Sequence, residues 1–136
     1  MNIEEISNTL PNGFHDAYIQ RLNIDYAKQE AVFELEICVG DSNSENPVKR
    51  DEYRSGRLKL NGFLFCVIEP PDIPFDESSI NKHGALWIAD DSSDFGELKS
   101  YPLLPELSDG FRHWFFINNF NCFIYVAAMN AMFEWE

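Results

Sequence analysis

Three histidines carry most of the acid–base chemistry open to this chain. His15 is followed directly by Asp16, and an imidazole beside a carboxylate is a pairing used for proton transfer or as half of a metal site. His83 and His113 are the other two. No HxxxH or HExxH spacing links them, so a small metal-dependent hydrolase using His15, Asp16 and His113 requires convergence in space. Neighbouring residues on a strand point to opposite faces, which favours a structural Asp16 that caps a turn or accepts backbone N–H bonds. Asp90, Ser92 and Asp94 form a DxSxD pattern. A calcium loop, however, wants Gly at its sixth position and an acid at its twelfth, where this chain has Phe95 and Tyr101. A solvated turn with Asx-type hydrogen bonds fits those residues better. Ser55-Gly56 is flanked by Tyr53 and Arg57 where a nucleophile elbow needs glycines. Neither glycine-rich phosphate loop is present. No catalytic residue and no cofactor is assigned on these patterns.

Charge says more than the motifs. The 136 residues hold 23 acids against 10 Lys and Arg, a formal net charge of -13. Phosphate backbones and anionic membrane surfaces are recognised through Lys and Arg, so neither nucleic acid nor membrane is an expected partner. A basic protein is. Between Glu69 and Glu97 stand eight acids against the single base Lys82, whereas Lys49 to Lys59 carries five bases against Asp51 and Glu52. A binding face is therefore expected around Trp87, Asp90, Asp91 and Asp94, with Asp76 and Glu77 beside it. The indole would anchor and the carboxylates would steer a basic partner. A merely solvated surface is the plainer alternative. Cys38, Cys66 and Cys122 are odd in number and widely spaced, with no CxxC pair, which fits buried free thiols in a reducing cytosol. The acidic N-terminal stretch lacks the basic and apolar regions of a signal peptide. The apolar run Phe120–Phe133 is shorter than the ~20 residues of a membrane span. A cytoplasmic location is expected.

The elements that must position these residues begin with the last quarter, from Phe111 to Trp135. Phe123, Tyr125, Ala127, Met129, Ala131, Phe133 and Trp135 recur at every second position, which predicts a long strand with that row facing in. Ile124 and Val126 then fall on its outer row, apolar enough to seek a second cover, and a homodimer sealed by this strand is a further expectation. Earlier in the chain, Asn2–Leu10 reads as a short helix, stopped by Pro11-Asn12-Gly13. Phe14–Tyr26 reads as a strand with a bulge near Ile19 and Gln20. The alternation of Ala31, Phe33, Leu35, Ile37 and Val39 completes a hairpin with it. Gly40–Asp51 is a polar loop by composition. Tyr53–Leu60 follows as a strand, Asn61-Gly62 as a type I′ hairpin turn, and Phe63–Ile68 as a strand covered on both faces. Residues 70–84 form a long Pro-rich connection. Ala85–Ala89 is a short strand, Asp90–Asp94 an acidic turn and Phe95–Tyr101 another short strand. Asn118, Asn119 and Asn121 mark the turn of the final hairpin.

The segment Leu10–Ile19, LPNGFHDAYI, followed by two alternating strands up to Val39, resembles small uncharacterised bacterial proteins that open on an "HDA" strand. Immunity-type proteins of polymorphic toxin systems are among them. The resemblance covers about thirty residues, rests on His15, Asp16 and Ala17, and supplies no catalytic residue. It implies a compact β-rich domain that binds a protein and performs no catalysis. Length and the absence of a linker give one domain over 1–136. Its class is α+β, β-dominated: an antiparallel sheet, curved or partly closed, with a short N-terminal helix. The function expected is that of an acidic, non-catalytic protein-binding module.

Overall fold

The alternation that begins at Ala31 sets one wall of the molecule. In β2 (Glu30–Cys38), Ala31, Phe33, Leu35 and Ile37 are all buried while the residues between them are not. The computed structural model describes residues 1–72, 84–96 and 109–136. Among these residues β1 (Tyr18–Asp25), β2, β3 (Tyr53–Ile68), β4 (Leu86–Ser92), β5 (Phe111–Ile117) and β6 (Cys122–Trp135) form one antiparallel sheet. The sheet curls into a ring in the order β1-β2-β3-β6-β5-β4. Its seam is short, with only Tyr18 against Trp87 and Ile19 against Leu86, so closure is partial. The β-dominated antiparallel architecture expected from the sequence is the one present.

One end of the ring is plugged by α1 (Ile3–Ser7) and the turns after it, which bury Ile3, Ile6, Leu10 and Phe14. A capping box starts the helix: Asn2 Oδ1 accepts the Glu5 N–H at 2.8 Å, and Glu5 Oε2 accepts the Asn2 N–H at 2.9 Å. Phe14 meets Phe115 and Phe133 edge to face, with centroids 6.0 and 6.4 Å apart. The loop read as Gly40–Asp51 contains a single helical turn, α2 (Pro47–Arg50), with Asn46 as N-cap and Pro47 in the first turn.

Three strand readings need correction. Asn61-Gly62 is not a hairpin turn, because β3 runs without a break from Tyr53 to Ile68 and β6 pairs with both of its halves. Gly62 does take a positive φ of +62°, and a Cβ there would lie 2.7 Å from Met129 Cβ. The positive φ serves a strand irregularity in place of a turn. Across it, the inward row of β3 moves from Leu58 and Leu60 to Phe63, and that of β6 from Ala131 back to Ala128. The expected inner row of β6 therefore holds only for Ala131, Phe133 and Trp135. Upstream the core takes Cys122, Ile124, Val126 and Ala128, so Ile124 and Val126 do not form an outer row. Phe123 and Tyr125 pair instead with Phe116 and Trp114 on the outside. Tyr125 is nonetheless buried there, in ring contact with Phe95 and Phe123. Nor is the end of β3 covered on both faces: Leu64 and Ile68 are exposed.

The bulge expected near Gln20 is present, as a register shift between Ile19 and Arg21. A second bulge falls between Ile88 and Asp90 in β4, which shows that Asp90 and Asp91 belong to a strand and only the residues after Ser92 to the turn. Of the expected strand Phe95–Tyr101, Phe95 and Gly96 are not in a strand and 97–101 lie outside the described residues, as do most of the 70–84 connection and His83.

Candidate functional site

The β4 bulge decides which acids face outward. Ile88 is buried and pairs with Ile117, so strict alternation would turn Asp91 to solvent. The extra residue reverses the phase. Asp90 is exposed opposite Phe116, and the Asp91 carboxylate, 10% exposed, points inward to place Oδ2 2.7 Å from His113 Nε2. His113 is itself 1% exposed, and its Nδ1 has no hydrogen-bond partner. A polar pair thus sits in the apolar wall beside Phe115, whose ring centroid is 5.1 Å from that of His113.

Of the residues expected on an acidic face, Asp90 and Asp94 are exposed. The Asp90 Oδ1 accepts the Asp91 N–H, and the Asp94 Oδ1 accepts the Gly96 N–H, both at 2.9 Å. Ser92 Oγ accepts the Asp94 N–H, the local turn bonding read from DxSxD. The Trp114 indole donates to the Asp94 carbonyl at 2.7 Å, fixing this turn to β5. Asp91 is directed away from that face. Asp76 and Glu77 lie outside the described residues. No Lys or Arg among the described residues is ion-paired with Asp90 or Asp94. Elsewhere Arg21 pairs with Glu34, Arg50 with Asp51, Arg57 with Glu136 and Lys59 with Glu30. Arg54 covers the Trp135 ring and Arg112 the Phe95 ring.

The three-residue metal site is not assembled. His15 and Asp16 lie on the outside just before β1, whereas His113 lies within the wall against Asp91. Among the described residues no three His, Cys, Asp or Glu side chains are grouped to hold a metal ion. His15 and Asp16 do touch, contrary to the opposite-face expectation, because they sit in a turn where Asp16 has φ +64°. Non-glycine residues rarely adopt that region, though Asp and Asn tolerate it best. Four contacts hold it there. The Asp16 N–H bonds to the Ile88 carbonyl at 2.9 Å, and its own carbonyl accepts the Tyr53 hydroxyl at 3.1 Å. Its carboxylate receives the Trp87 indole N–H on Oδ1 at 3.1 Å and lies 3.0 Å from His15 Nδ1 through Oδ2.

This turn borders a concavity of about 430 Å³ lined by His15, Asp16, Cys38, Arg50, Asp51 and Tyr53. Gly40 and α2 form its far side, packed so closely that a Cβ on Gly40 would lie 1.9 Å from the Arg50 carbonyl. Asn12 fastens the near side by donating to the carbonyls of Cys38 at 3.0 Å and Gly40 at 2.8 Å. Burial, with Tyr18, Cys38 and Asp16 close by, pushes the Tyr53 phenol well above its ordinary value, so it stays a donor. Tyr53, Tyr18 and Trp87 line up outside the sheet, with successive ring centroids 5.4 and 6.4 Å apart. Sequence reasoning singled out Asp16 and Trp87 separately and missed Tyr53, Asn12 and Arg50. Only the Asn12-Gly13 turn signal hinted at the fold-back that joins them.

The three cysteines are free. No helix among the described residues is long and apolar enough to cross a membrane. No protein-family model matches the sequence, and no curated protein matches it. The chain is similar to a solved crystal structure of an uncharacterized protein from Neisseria gonorrhoeae, at 12% identity and a TM-score of 0.40, over 88% of this chain and 91% of that one.

Proposed function

We propose that this protein is a non-catalytic, acidic protein-binding module that acts in a bacterial cytosol by covering a basic partner, as an immunity-type protein neutralises a basic toxin. The observation that carries this reading is the distribution of ion pairs. Six of the eight described Lys and Arg residues are engaged within the molecule, and none pairs with Asp90 or Asp94. Exposed carboxylates with no Lys or Arg partner among the described residues, on a chain of net charge -13, raise the encounter rate with a cationic protein and repel anionic ones. Free thiols fit the same compartment.

The test is capture from the source cell with tagged protein at low and at high salt, followed by association kinetics on the protein recovered. A basic partner released by salt is expected. The double variant Asp90→Asn with Asp94→Asn should then associate several-fold more slowly and with a flatter salt dependence. An unchanged on-rate rejects the acidic face. A second reading, a homodimer, is favoured by the exposed Leu64, Ile68, Met129 and Met132 on β3 and β6. Sedimentation showing a monomer at high concentration would remove it.

A further inference from the structure

The concavity beside Asp16 is framed by the Asp16 turn, by Asn12 and by α2. Its lining carries two formal carboxylates, Asp16 and Asp51, and one guanidinium, Arg50. Arg50 Nε lies 3.5 Å from Asp51 Oδ1, so those two charges offset each other. Among the described residues the Asp16 carboxylate is matched by the Trp87 indole and by His15, which is uncharged unless protonated. It is the unbalanced charge of the pocket. Each of its oxygens has one neighbour and retains a lone pair for another donor. The contacts to Ile88 and Tyr53 fix the Asp16 backbone and those from the Trp87 indole and His15 its carboxylate, so less side-chain freedom is lost when a donor arrives. Beside it the ring of Tyr53 lines the same concavity and supplies an aromatic surface for a cation.

We propose that this pocket anchors the partner by receiving one basic side chain, an arginine or a lysine. The assignment rests on the reading of the protein as a binder of a basic partner and adds to it a second point of contact. Asp90 and Asp94 act at long range on the approach, and Asp16 acts at contact. A carboxylate beside the Tyr53 ring suits a guanidinium best, since its planar fork can bond and stack together.

The test uses the full chain and small probes, so it does not depend on having the partner. The indole N–H of Trp87 donates to Asp16 and therefore reports on the site by 1H–15N NMR. N-acetyl-arginine amide should shift that resonance saturably, in the weak range of a single contact. N-acetyl-citrulline amide, its neutral near-isostere, should not. Asp16→Asn keeps the shape and suits the positive φ, and it should weaken arginine binding at least tenfold. Equal shifts from arginine and citrulline overturn the proposal, and that comparison needs no variant. So does an Asp16→Asn protein that binds arginine unchanged, or preferential binding of N-acetyl-glutamate amide through Arg50 and His15. A silent arginine titration, alongside salt-sensitive capture of a basic protein, removes the pocket and leaves the binding function standing. Arginine binding without any captured partner does the reverse.

Discussion

Asp91 and Asp90 are chemically identical neighbours placed on opposite sides of one strand, and their substitution should separate structural from surface acids. Asp91→Ala leaves His113 buried with neither ring nitrogen bonded, since Nδ1 has no partner even now. The expected cost is about 1–3 kcal/mol, read as a lower denaturant midpoint. Asp90→Ala, on an exposed carboxylate, should stay within about 0.5 kcal/mol. Equal effects would mean that the bulge does not turn Asp91 inward. The difference was not legible in the sequence, because a bulge reverses alternation without leaving a residue-type signature in DDSSD. The thiols differ in a comparable way. Burial raises Cys66 to about 11, from the 9.0 of a free thiol. At pH 8 its thiolate population is then roughly a hundredfold smaller than that of an exposed cysteine. Native-state alkylation mapped by mass spectrometry should find Cys66 slow, and unfolding should speed it by about one to two orders of magnitude. The sign for stability follows: the protonated thiol is favoured in the fold, so its contribution is present below about pH 9 and lost as pH rises toward 11.

At the scale of elements, the meeting of Gly62 with Met129 is the feature that holds two long strands in register across a phase change. Gly62→Ala meets two separate penalties there: a left-handed φ, worth about 1–2 kcal/mol, and a Cβ 2.7 Å from Met129. Adding Met129→Ala removes Cγ, Sδ and Cε but leaves the Cβ and the φ. The double variant should therefore recover only part of the loss, and full recovery would show that backbone strain contributes nothing. Asn61-Gly62 displays what sequence can and cannot tell. The dipeptide correctly marked a positive φ, yet whether that φ closes a hairpin or kinks a continuous strand depends on whether another strand is long enough to span it. The 14 residues of β6 are. For the same reason β2, flanked by β1 and β3 with one face inside the ring, was legible residue by residue. The outer aromatic layer on β5 and β6 was not, because a second cover over Phe123 and Tyr125 makes both faces read as inner. The Asp16 pocket was illegible for a related reason: it joins Asn12, Cys38, Arg50 and Tyr53 through a fold-back that no local period encodes.

For the whole molecule the deciding quantity is charge. The salt bridges of Lys and Arg among the described residues, Arg21–Glu34, Arg50–Asp51, Arg57–Glu136 and Lys59–Glu30, each have at least one substantially exposed partner. Pairs of that kind contribute about 0–1 kcal/mol apiece and weaken as salt is added. Against them stands the mutual repulsion of 23 acids opposed by 10 bases, which the folded state concentrates and the unfolded chain relieves. Raising ionic strength from about 0.01 to about 0.1 M shortens the Debye length from roughly 30 to roughly 10 Å. Repulsion acting across the whole surface is screened by that change, whereas ion pairs in contact are barely reached. Repulsion should therefore dominate the balance, and the melting temperature should rise with added sodium chloride. A relief of about 1 kcal/mol corresponds to roughly 4 °C in a chain of this size. A fall instead would mean that the contact pairs outweigh the net charge. The acids near Asp90 and Asp94 would then be compensated within the molecule, and the electrostatic basis for attracting a basic partner would go with them.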